Sequence, residues 1–171
     1  KTGTMTHRIA YMIKDGGVNP YSILALTFTN KAANEMRGRV ENLVGFVPGM
    51  WIQTFHSACL RILRQHADRL GYTKSFSVYD PVDQKALVRN IVKELDLDEK
   101  RFTSAYVLAV ISDKKEKRIS PSDMQRTALE YGPEKNLALI YESYEAELKK
   151  NNAMDFDDLI LRTVLLFEKC P

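Results

Sequence analysis

Ile23-Leu24-Ala25-Leu26-Thr27-Phe28-Thr29-Asn30 is the stretch on which the fold turns. Its first six residues form a short, almost continuous apolar run, as in a parallel strand buried on both faces. The letters then change period. From about Lys31 to Leu43 the residues Ala33, Met36, Val40 and Leu43 recur at helical spacing. Upstream, residues 4–14 read as a helix with Ile9, Met12 and Ile13 on one face and Gly16-Gly17 as its stop. Downstream, a loop with Gly45, Pro48 and Gly49 leads into a second short strand, Met50-Trp51-Ile52-Gln53-Thr54. A helix follows from about Ser57 to Leu70, with Leu60, Leu63, Ala67 and Leu70 as its apolar stripe and Gly71 closing it. Phe76-Ser77-Val78-Tyr79 is a third extended segment. Helix and strand alternate three times, which argues for a doubly wound α/β unit.

Beyond Asp80 the texture changes. The spacing predicts helices near 80–95, 103–117, 121–131 and 134–150, with no strand between them. Pro81, Pro121 and Pro133 each sit where a first helical residue is expected, because proline lacks the N–H that is unpaired there anyway. Asn151-Asn152 marks a break before a last helix over 156–169. Asp155 serves as its N-cap, with Asp158 in its first turn. The fold class is therefore α/β, a partial parallel sheet with helices joined to an all-helical subdomain, and predominantly helical.

The bulk numbers agree with a globular chain. Of 171 residues, 44% are apolar and 27% charged, enough of each for a core and a solvated surface. A net charge of +3 is too small to indicate nucleic acid by itself. Cys59 and Cys170 have no metal-type spacing and do not suggest a disulfide framework, which fits a reducing cytoplasm. No apolar run approaches the roughly 20 residues that cross a bilayer, and no signal peptide is visible, so no membrane partner is expected. The chain opens on Lys1 and stops at Cys170-Pro171, which reads as a fragment or a numbered subset of something longer.

Chemistry points to the two strand-to-helix junctions, Thr27-Phe28-Thr29-Asn30 and Thr54-Phe55-His56-Ser57. Ligands of open parallel sheets bind beyond the carboxyl ends of the strands, where the next helix also aims its free N–H groups. Both junctions combine hydroxyls, a phenylalanine and a polar donor. Hydroxyls and backbone N–H groups can hold a phosphodiester backbone, and a ring can stack on an unpaired base. Two such junctions side by side could track a single strand. The plainer alternative is that Thr, Asn and Ser are helix caps and that Phe28 and Phe55 are core.

Four stretches carry a resemblance. Residues 23–40 resemble motif Ia of the UvrD/PcrA/Rep group of superfamily 1 DNA helicases, and residues 51–63 resemble its motif Ib. Phe76-Ser77-Val78-Tyr79-Asp80-Pro81 and Met154-Asp155-Phe156-Asp157-Asp158-Leu159-Ile160 match at the expected separations. The resemblance covers essentially the whole chain. It implies an ATP-dependent helicase that moves 3′ to 5′ on single-stranded DNA and opens duplex junctions. It implies that Phe28 lines a pocket where a base stacks and that Thr29 and Asn30 lie along the strand path. It also implies that Thr54, His56 and Ser57 contact backbone phosphates. Residues 1–73 and 153–171 would belong to the first RecA-like domain and residues 74–152 to an inserted helical subdomain.

The resemblance also gives meaning to Lys1-Thr2, since Gly3-Thr4-Met5 and Thr6-His7-Arg8-Ile9 follow as they follow Gly-Lys-Thr in the family. Lys1 would reach the β- and γ-phosphates of ATP and Thr2 would ligate Mg²⁺ through the nucleotide. The glycines of that loop are not in the sequence, and no Asp-Glu pair follows an apolar strand. These 171 residues are therefore expected to hydrolyse no ATP alone and to contain no catalytic residue. A helicase–nuclease motor subunit and a non-enzymatic DNA-binding module remain alternatives. Asp155, Asp157 and Asp158 also permit a Mg²⁺ site, although 155 and 158 are well explained as helix-start acids. The run Asp113-Lys114-Lys115-Glu116-Lys117-Arg118 reads as a solvated helix end, with duplex DNA contact as the alternative.

Overall fold

The computed structural model describes residues 2–128 and 132–170. These residues form two compact units, one up to Arg61 and one from Ile62 onward.

The N-terminal unit begins with α1 (Thr2–Lys14) and β1 (Leu24–Thr27). It continues through α2 (Asn30–Val44), β2 (Trp51–Thr54) and the start of α3 (Phe55–His66). The strands β1 and β2 are parallel neighbours, paired Leu24↔Trp51 through Thr27↔Thr54. Met36 and Val40 on α2 and Ile9 on α1 pack with Ala25 and Ile52 from the strands. The guanidinium of Arg37 on α2 donates to the Ile52 carbonyl and ties helix to strand. One expectation changes here: β1 is not buried on both faces, because Leu24 is 54% exposed and burial alternates along the strand. Ala25 faces the cluster formed with α1 and α2 while Leu24 faces solvent, which follows from the period-2 geometry of a strand covered on one side.

The predicted helix over 57–70 starts earlier, at Phe55, and tightens after His66 into a 3₁₀ turn over Ala67–Leu70. Gly71 ends it at φ +71°, donating its N–H to the Ala67 and Asp68 carbonyls.

The remaining elements are β3 (Ser77–Val78), α4 (Pro81–Glu94), α5 (Ser104–Glu116) and α6 (Pro121–Thr127). They are followed by α7 (Pro133–Lys150), β4 (Ala153–Met154) and α8 (Phe156–Lys169). Asp80, Ser120 and Asp155 each close a capping box with an aspartate three residues on, so these helix starts are written in the sequence. Val88, Val107, Ile111, Ile140 and Tyr144 form the centre of the helical core. The helix expected over 121–131 ends at Thr127, and residues 129–131 lie outside the described ones.

The third extended segment also differs from expectation. It does not continue the β1–β2 ladder; β3 pairs with β4, in parallel, as Ser77↔Ala153 and Val78↔Met154. No strand was predicted at 153–154, which is too short for a visible alternation. The pairing rests on Asn152, held at φ +48° in the left-handed region that asparagine tolerates. Its side-chain oxygen accepts from the Thr73 N–H at 2.9 Å and its amide donates to the Thr73 hydroxyl at 2.6 Å. The break read at Asn151-Asn152 is thus also the joint that sets the two chain segments side by side.

Candidate nucleic-acid interface

The β1–β2 register determines the rim of the N-terminal unit. Thr27 lies opposite Thr54, so the next residues, Phe28 and Phe55, emerge side by side at the carboxyl ends of the two strands. Neither is core: Phe28 is 92% exposed and Phe55 is 43% exposed. Their ring centroids are 5.7 Å apart with planes tilted by 43°, within the usual geometry of an aromatic pair.

The hydroxyls at this rim act first as caps. Thr29 is the N-cap of α2, its side chain accepting from the Ala32 N–H at 3.2 Å. Buried Thr27 donates to the Thr29 carbonyl at 3.0 Å and stiffens the bend that carries Phe28. Buried Thr54 accepts from the Ser57 N–H at 3.2 Å and donates to the Ser57 hydroxyl at 2.8 Å. Thr54 therefore orients Ser57, whose own proton points elsewhere. Thr29 and Asn30 are exposed, and His56 and Ser57 are half-buried. Six sequence-predicted residues, Phe28, Thr29, Asn30, Thr54, His56 and Ser57, thus belong to the same two adjoining junctions. Phe55 was not among them; its signal was its place after Thr54, matching that of Phe28 after Thr27.

The other predicted site is the start of α1. Lys1 lies outside the described residues, and of Thr2 only the backbone is described, as the first residue of α1. A helix start suits phosphate, but the loop that would surround the phosphates is not formed by the described residues.

A second polar constellation went unread in the sequence. Lys115, inside a run expected to be solvated, is only 2% exposed. Its ammonium lies 2.7 Å from Asp155, 2.8 Å from Glu145 and 3.1 Å from Asp158. Tyr144 donates to Asp155 at 3.1 Å. Arg162 pairs with Glu145, and its Nε stands 3.2 Å from Asp158 as a charge contact without hydrogen-bond alignment. Burial by itself would push Lys115 down, but Asp158, Asp155 and Glu145 override it and hold the ammonium well above the usual lysine range. Burial pushes Asp158 up, against the pull of Lys115. Burial and the Asp155 carboxylate both push Tyr144 up. The acids at 155 and 158 are helix-start caps, as expected, and face protein cations. The arrangement ties α5, α7 and α8 together.

The family model described as the UvrD/REP helicase N-terminal domain matches residues 1–171. ATP-dependent DNA helicase PcrA of Staphylococcus epidermidis (strain ATCC 35984) is 45% identical over 172 residues, spanning 100% of this chain and 24% of that protein. The protein of the same description from Staphylococcus aureus (strain Mu50) is 44% identical, again over 100% of this chain and 23% of its own length. The chain thus spans about a quarter of the curated relatives it matches.

Proposed function

We propose that this chain, which belongs to the UvrD/REP helicase N-terminal domain family, supplies part of the single-strand track of an ATP-dependent DNA helicase. The observation that carries the reading is Phe28, a large apolar ring 92% exposed at the carboxyl edge of two parallel strands. Burying such a ring against a base removes apolar surface from water without disturbing the fold. Thr29 and Asn30 continue the path from Phe28. His56 and Ser57 meet phosphates, with Thr54 holding the Ser57 hydroxyl in place. The helicase moves 3′ to 5′ on single-stranded DNA in the cytoplasm and opens duplex junctions.

ATP and Mg²⁺ would supply the driving reaction when bound in the intact protein; Lys1 would reach the phosphates and Thr2, the first residue of α1, would ligate Mg²⁺. The 171 residues alone hydrolyse no ATP on this reading. DNA-stimulated phosphate release from them, lost on Lys1→Ala, would contradict it. Residues 1–73 and 153–171 belong to the first RecA-like domain, and residues 74–152 are inserted into it. The β3–β4 pairing supports an insertion of this kind, since it sets Ser77-Val78, near the start of the inserted segment, beside Ala153-Met154, where the chain returns.

The test is equilibrium binding of a labelled oligothymidylate to the intact protein and to Phe28→Ala. Loss of one base-stacking contact, about 1–3 kcal/mol, lowers affinity roughly 5- to 150-fold. The salt dependence that reports phosphate contacts stays unchanged. Unchanged affinity in a folded Phe28→Ala protein overturns the stacking role.

A further inference from the structure

We infer that Phe55 is a positioning residue for the DNA strand: it backs the Phe28 ring from the protein side and leaves the far face of Phe28 open to one base. This inference rests on the single-strand reading above. The two rings differ in how they are held. Phe55 is the first residue of α3, so its backbone is fixed by a helix whose start is capped through Thr54 and Ser57. Phe28 stands on the two-residue bend between β1 and α2, with 92% of its surface in solvent. A phenylalanine so exposed has little packing to choose among its staggered side-chain positions. Its ring contact is Phe55, 5.7 Å away and tilted by 43°. A tilted pair at this separation is attractive and selects the rotamer that points toward α3. Phe55 is also less exposed than Phe28, at 43%, as expected of the inner member of a pair.

The placement has a consequence for spacing. Phe55 immediately precedes His56 and Ser57, the proposed phosphate contacts. A base held against Phe28 is therefore registered, through Phe55, to the same helical turn that meets the backbone. The parallel pairing of Thr27 with Thr54 makes this automatic, because it fixes where both rings emerge.

A double-mutant cycle on the intact protein tests the inference, using a fluorescein-labelled oligothymidylate. The variants are Phe55→Leu, which keeps apolar bulk but removes the ring, Phe28→Ala, and both together, with thermal melting followed for each. Phe55→Leu alone is expected to weaken binding about two- to tenfold with an unchanged salt slope, and Phe55→Tyr to restore it. In the Phe28→Ala background, Phe55→Leu is expected to weaken binding by less than about twofold, since it acts through a ring that is gone. Two results overturn the inference alone: multiplying losses, which mean that Phe55 stacks a base of its own, and no loss from Phe55→Leu while Phe28→Ala still weakens binding. Full affinity in Phe28→Ala removes the underlying reading instead, and the inference with it.

Discussion

The two units invert the usual sorting of side chains in opposite ways. At the rim of the N-terminal unit, two phenylalanines stand in solvent where core would be expected. In the helical unit, a lysine and two aspartates stand out of solvent where surface would be expected. Each inversion carries a free-energy cost, and the costs are offset differently. Exposed rings forgo burial, which only a partner can supply. Buried charges lose hydration, which their neighbours replace inside the chain. The first arrangement is open and points to a ligand; the second is closed and points to architecture. Of the exposed ring and the buried charge, only the exposed ring is available for binding.

The comparison can be broken most forcefully at Lys115. Lys115→Met leaves Asp155, Asp158 and Glu145 facing one another with Arg162 as the remaining cation among these partners. Removing one partner of a buried ion network costs about 3–5 kcal/mol, so chemical denaturation should show that loss. A midpoint within error of the parent would mean that the cluster is hydrated and loose.

A smaller effect is expected with pH. Lys115 and Tyr144 both hold their protons more tightly folded than at their ordinary values of 10.5 and 10.0. For groups raised in this way, stability is fully present below the unfolded value and is lost as pH rises through the folded one. Between neutral pH and about pH 10 the melting temperature should therefore hold, and it should fall above pH 10.5; Lys115→Met should flatten that decline. A decline equally steep in the variant would remove Lys115 as its source.

The smallest change is expected where the comparison predicts none. Phe28→Ala deletes a side chain that is almost wholly in water, so its effect on stability should stay within about 0.5 kcal/mol while DNA affinity falls. A melting temperature that drops as it does for core truncations would show that Phe28 holds the fold.

Most helices of this protein were legible in its letters, because their signals are local. Asp80-Pro81, Ser120-Pro121 and Asp155 with Asp158 announce capped starts, and all three close capping boxes. The β1 and β2 segments and the two junctions beyond them were legible for the same reason, as an apolar run followed by a change of period. The rest depended on distance along the chain. Nothing near Lys115 indicates that Asp155, 40 residues on, will reach it, so a helical lysine in a charged run read as surface. Nothing near Ser77 indicates Ala153 as its strand partner.

Sequence alone thus determined the like make-up of the two strand-to-helix junctions and the capped helix starts at Pro81, Pro121 and Phe156. Tertiary structure decided that Phe28 and Phe55 meet in the open and that Lys115 is enclosed. Local signals follow from spacing and capping within a few residues. Exposure and charge pairing depend on which distant segments the chain brings together.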